Sequence, residues 1–166
     1  LMFAFLLAIV LIYLILAAQF ESFKDPLVIM ITVPLAITGA LIFMYFNDIT
    51  MNVFSQIGII MLIGLVAKNG ILIVEFANLK QETGEDKLTA IKDAALQRLR
   101  PILMTSASTI LGLIPLAYAT GEGANQRIAM GTAVVGGMLV STLLTMYIVP
   151  AIYSYVSTNR SKLKKA

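Results

Sequence analysis

Residues 57–76 read IGIIMLIGLVAKNGILIVEF, and the fold turns on how this stretch is taken. A helix covers the hydrocarbon core of a bilayer with about 20 predominantly apolar residues, and this run has that length and character. It also carries Lys68 near its middle. The lysine stem reaches about 6 Å, whereas the interface lies about 15 Å away at a rise of about 1.5 Å per residue. An ammonium left at that depth costs at least about 2.5–3.5 kcal/mol. The expectation is therefore a transmembrane helix whose lysine faces a carboxylate or a wet cavity inside a packed bundle rather than lipid. The plainer alternative shifts the register so that Lys68 reaches the interface.

The neighbours of Lys68 extend the site. Asn69 adds a second polar group at the same depth, and Gly64, Ala67 and Gly70 are small enough to admit a close neighbouring helix. Glu75 lies two turns further along the same face, too far for a direct intrahelical pair with Lys68. Near the end of the span, it reads equally well as structural or functional.

The rest of the composition agrees with a membrane protein. Of 166 residues, 59% are hydrophobic, and the mean hydropathy is +0.91, far above that of a soluble domain. There is no cysteine and no histidine. Thiolate chemistry, imidazole–metal sites and histidine-based triads are thereby excluded, and no Gly-x-Ser-x-Gly elbow is present. Nothing in the residues points to an enzyme, a cofactor, a metal or a nucleic-acid partner. The opening Leu1-Met2-Phe3 lies inside an apolar run without the basic start of a signal peptide, so the chain reads as the C-terminal piece of a larger protein.

Five hydrophobic spans follow in order, at about 1–18, 27–46, 53–78, 101–119 and 128–156. The fold class is all-α, a polytopic transmembrane helix bundle. Pro34, inside the second span, should bend it and free a carbonyl. The longest connection, from Lys80 to Arg100, shows Leu88, Ile91, Ala95 and Leu99 at helical spacing. This predicts a short amphipathic surface helix over about 85–99, with Leu88, Ile91 and Leu99 facing the bundle or the lipid interface and Thr83 and Asp86 forming a capping box. A plain solvated linker is the alternative. Thr105, Ser106, Ser108 and Thr109 crowd the fourth span, where hydroxyls bond back along the helix or across to another, or line a hydrated path. Gly131, Gly136 and Gly137 in the fifth span predict close packing.

Basic residues orient the bundle. Lys24, the 80–100 connection and the tail from Arg160 to Lys165 hold ten of the twelve Lys and Arg; Arg127 alone lies on the other side, and Lys68 lies between. The positive-inside rule makes the richer side cytoplasmic, with the C-terminus inside.

Two stretches carry a resemblance: Gly64-Leu-Val-Ala-Lys68-Asn69-Gly-Ile-Leu-Ile-Val-Glu75-Phe-Ala77 and Arg98-Leu-Arg100-Pro101-Ile-Leu-Met-Thr105-Ser106. Ala18-Gln-Phe-Glu-Ser22, Val33-Pro34-Leu35, Leu113-Ile-Pro115-Leu116 and Gly136-Gly137-Met138 support it. Over almost its whole length the chain resembles the last five transmembrane helices of resistance–nodulation–division (RND) efflux transporters of the hydrophobe/amphiphile multidrug branch. The resemblance implies the C-terminal part of a twelve-helix, proton-driven exporter of the bacterial inner membrane. It implies a homotrimer with periplasmic domains, docked to a periplasmic adaptor and an outer-membrane channel, with small amphiphilic substrates bound elsewhere in the protein. It implies that Lys68 faces two aspartates on an earlier helix, outside this sequence, and that Arg98 and Thr105 belong to the same proton-relay region. From the residues alone, Arg98 reads only as one more positive-inside charge beside Arg100. Metal-ion export, and protein translocation within the wider superfamily, are the competing functions.

Overall fold

The computed structural model describes residues 2–20 and 24–156. The expected basic tail at 160–165 lies outside them, as do residues 21–23. Among the described residues there are six helices and no strand: α1 (Met2–Phe20), α2 (Lys24–Met30), α3 (Thr32–Phe46), α4 (Val53–Glu82), α5 (Lys87–Ala117) and α6 (Ala124–Val156). With α2 and α3 taken together, they make five spans long and apolar enough to cross a membrane. The chain is an all-α bundle.

The second span is broken at Ile31, between α2 and α3. Pro34 has no N–H to offer the Met30 carbonyl, and its ring crowds that carbonyl, so the helix cannot run through unchanged. Hydroxyls on either side bond back to the backbone: Thr32 Oγ1 donates to the Ile29 carbonyl at 2.6 Å and Thr38 Oγ1 to the Pro34 carbonyl at 2.8 Å. Pro101, Pro115 and Pro150, by contrast, lie within continuous helices.

The α4 N-terminus carries a reciprocal cap. Asn52 Oδ1 accepts from the Ser55 amide, and Ser55 Oγ accepts from the Asn52 amide, each at 2.9 Å. The capping box expected at Thr83 and Asp86 does not form: Thr83 closes α4 by donating to the Lys80 carbonyl, and Asp86 caps α5 without a side-chain bond. Gly84, at φ +101°, makes the turn between them in a region that side-chain-bearing residues avoid.

The surface amphipathic helix is not a separate element. It is the first part of α5, which runs through Pro101 into the fourth span. The face it packs within the chain is centred on small residues. Ile91 is 3% exposed and lies beside buried Ala90 and Ala94, whereas Leu88 is 59% and Leu99 38% exposed. Two alanines let α5 lie close to its neighbours, and larger side chains are turned out.

The central helix is α6, packed along α3, α4 and α5. Glycines set its distance from α3. A Cβ at Gly39 would come within 2.6 Å of Val140 Cβ, one at Gly136 would overlap Phe43, and one at Gly137 would overlap Leu62 and stand 3.0 Å from the Ala36 carbonyl oxygen. In lipid, association rests on such close approach, because hydrocarbon tails compete equally for apolar surface. α1 contributes little: within it, Leu16 and Phe20 are the buried residues.

Where α2 begins and α4 and α6 end, a buried polar cluster ties the three together. Asn78 Nδ2 donates to Asp25 Oδ2 at 3.0 Å, the Tyr153 hydroxyl donates to Asn78 Oδ1, and Gln81 Nε2 donates to the Tyr153 oxygen. All four residues are buried. This fixes one end of the bundle; the 47–52 and 118–123 connections lie at the other.

Candidate functional site

α4 is apolar all round in sequence, yet it has two faces in the fold. Leu62, Ile63, Val66, Ala67, Ile73, Val74 and Ala77 are buried, whereas Ile57, Met61, Gly64, Lys68, Glu75 and Leu79 form an exposed stripe. The stripe follows the 3.6-residue repeat. Lys68 lies in its middle. The packed interior expected around it is not formed within this chain: Lys68 is exposed, it makes no ion pair among the described residues, and a Cβ on Gly64 would meet nothing within 4 Å. The small residues on the other side do as expected, with Ala67 buried and Gly70 close against Ile29.

Asn69, one residue on, turns inward. Its Nδ2 donates to Ser106 Oγ of α5 at 3.4 Å, and Thr142 Oγ1 of α6 donates to the same oxygen at 3.2 Å. All three side chains are at most 5% exposed. Three helices therefore meet at one hydroxyl.

Thr105 and Arg98 are placed differently. Thr105 is exposed, and its hydroxyl donates to the Pro101 and Ile102 carbonyls of its own helix at 2.8 and 3.1 Å. Thr109 bonds back to Thr105 in the same manner. The Arg98 guanidinium stacks on Phe76, 4.8 Å from the ring centroid, and Lys80 Nζ lies 5.7 Å from the same centroid. Arg98 Nε is buried without a hydrogen-bond partner among the described residues. Arg98 is thus more than a solvated charge. Phe76 is two turns beyond Lys68, about 12 Å along the axis, so the fold does not bring Arg98 and Lys68 together. Of the four residues singled out by sequence, Lys68 and Asn69 share a level on α4, Thr105 adjoins their level on α5, and Arg98 sits nearer the Asp25 end.

Sequence reasoning passed over Thr142 and the Asp25–Asn78–Tyr153–Gln81 cluster. The signal for the former was available, since Ser141, Thr142 and Thr145 repeat on α6 the hydroxyl crowding of the fourth span. An apolar cleft of about 340 Å³ is lined by Met2, Phe5, Ile37, Leu41, Ile59 and Gln56 among others. Its lining lacks the convergent polar groups of a specific small-molecule site.

Comparison with known proteins agrees with this architecture. The chain is 48% identical to an uncharacterized transporter of Haemophilus influenzae, over 96% of this chain and 16% of that protein. It is 43% identical to the multidrug resistance protein MdtF of Escherichia coli, again over 96% and 16%. It is also 43% identical to the toluene efflux pump membrane transporter TtgB of Pseudomonas putida, over 93% and 15%. The chain thus spans about a sixth of the length of these relatives. Residues 1–157 match the AcrB/AcrD/AcrF family, and the chain belongs to that family of RND efflux transporters.

Proposed function

We propose that this chain is the C-terminal transmembrane part of a proton-coupled exporter of amphiphilic compounds, carrying half of its proton-relay bundle. In this reading Lys68 is the coupling cation, Asn69 holds it in place, and Arg98 and Thr105 serve the same relay. The observation that carries the proposal is the position of Lys68. A mid-span ammonium on an exposed helical face is untenable against lipid, so that face is covered by protein bearing a carboxylate. The relatives are about six times longer than this chain, ample to supply the covering helices. An ionised carboxylate there holds the ammonium; when it takes a proton the attraction is lost, and the favoured packing of α4 against the covering helices changes.

The whole protein works in the bacterial inner membrane with its C-terminus cytoplasmic, as a homotrimer joined to a periplasmic adaptor and an outer-membrane channel. Names given to relatives, multidrug resistance and toluene efflux, favour organic amphiphiles over metal ions as cargo.

Drug accumulation in cells lacking other pumps tests the role of Lys68 in the full-length transporter. Lys68→Met should accumulate drug as pump-free cells do, at membrane abundance close to wild type. Lys68→Arg should rescue poorly, because a planar guanidinium does not replace a compact ammonium. Full efflux by well-expressed Lys68→Met would remove the coupling role.

A further inference from the structure

The hydrogen bonds at Ser106 reach beyond Asn69. On α4 the inward Asn69 follows the exposed Lys68; on α5 the inward Ser106 follows the exposed Thr105. One residue step turns a helix by about 100°, so holding Asn69 and Ser106 against each other fixes the rotation of both helices about their axes. It thereby fixes the outward placement of Lys68 and Thr105 together. Thr142 completes the arrangement from α6. Ser106 Oγ accepts from both Asn69 Nδ2 and Thr142 Oγ1, which fills its two lone pairs. Rotation of either α4 or α5 would strand a buried amide or hydroxyl where there is no water to replace the lost bond.

We propose that Ser106 and Thr142 are positioning residues for the coupling step: their hydroxyls lock the rotation of α4 and α5 and so set how Lys68 meets its carboxylate. The proposal rests on the coupling role of Lys68. The locking groups do not titrate. Among the described residues, the elements packed on α4 bring no other charge to this level. α1 and α3 have no charged residue, α6 has only Arg127 near its start, α2 has Lys24 and Asp25 at the opposite end, and the charged residues of α5 stop at Arg100. On α4 itself Glu75 lies on the same stripe, about 10 Å further along, so a change in the pH dependence of transport reports on Lys68, Glu75 and the groups that cover them.

The test is transport rate against pH by the full-length transporter in proteoliposomes. It compares Ser106→Ala, Thr142→Val and Thr142→Ser with the wild type, with Lys68→Met as the control. Ser106→Ala and Thr142→Val should move the pH midpoint by about half a unit, a roughly threefold change in a protonation equilibrium. Thr142→Ser, which keeps the hydroxyl, should leave the midpoint at the wild-type value. A merely structural role would lower abundance or thermal stability without moving the midpoint. An unmoved midpoint in Ser106→Ala and Thr142→Val, with Lys68→Met inactive, overturns the positioning role and leaves coupling by Lys68 standing. A fully active Lys68→Met overturns the coupling reading and this proposal with it. If Ser106→Ala does not reach the membrane, Thr142→Val and Thr142→Ser decide the matter by the same criterion.

Discussion

Single residues in this bundle are held by polar contacts that lipid cannot replace. The plainest case is Tyr153, whose hydroxyl donates to Asn78 and accepts from Gln81 in a fully buried setting. Tyr153→Phe removes that hydroxyl and with it the hydrogen bond to the buried Asn78 Oδ1. An unsatisfied buried group costs about 1–3 kcal/mol, so the variant should unfold at lower temperature in detergent than the wild type. Asp25→Ala should act in the same direction by taking the acceptor from Asn78 Nδ2. Wild-type melting of Tyr153→Phe would show that the cluster contributes nothing net. Lys68 is the opposite case: it has no such partner among the described residues, and for that reason its charge implies a surface still to be covered.

At the scale of helices, the decisive contacts come from small residues. Gly137→Leu would drive a side chain into Leu62 and the Ala36 carbonyl, and the α3–α6 contact should loosen by about 1–3 kcal/mol, read as a drop in melting temperature. The first part of α5 offers a paired test of its observed face. Ile91→Ala should destabilise by about 2–5 kcal/mol, and Leu88→Ala should stay within about 0.5 kcal/mol. Equal effects would show that Leu88 is packed as closely as Ile91. Ala90 and Ala94 allow the closer approach that buries Ile91, and Leu88 and Leu99 stay outside the face packed within the chain. Five spans long and apolar enough to cross a membrane were legible, because hydropathy and length dictate them. The packed faces of α4 and α6 were legible only where glycine and alanine mark them; elsewhere, and along α3, both faces are apolar and hydropathy does not single out the packed one. The break at Ile31 was foreshadowed by Pro34, yet Pro101 carries no break, and the sequence does not distinguish them. Within the site, Lys68 stood out by its depth and charge, and Asn69 by its depth and polarity. The hydroxyl partners of Asn69 were hidden among many serines and threonines, most of which bond within their own helix.

For the molecule as a whole, the uneven charge at its two ends dictates orientation. The end closed by the Asp25–Asn78–Tyr153 cluster also bears Lys24, Lys80, Lys87, Lys92, Arg98 and Arg100, while the opposite end bears Arg127. Basic residues close to span ends are retained on the cytoplasmic side, so the cluster end should face the cytoplasm. Because the chain contains no cysteine, single cysteines can report the topology of this segment once other cysteines in the full-length protein are removed. Thr50→Cys and Asn125→Cys occupy exposed positions at the Arg127 end, and Asp86→Cys an exposed position at the other, where the native side chain makes no capping bond. In intact cells with a permeabilised outer membrane, an impermeant thiol reagent should label Thr50→Cys and Asn125→Cys and leave Asp86→Cys unmodified until the inner membrane is opened. The reverse pattern would place the Asp25–Asn78–Tyr153 end outside and overturn the orientation drawn from the basic residues.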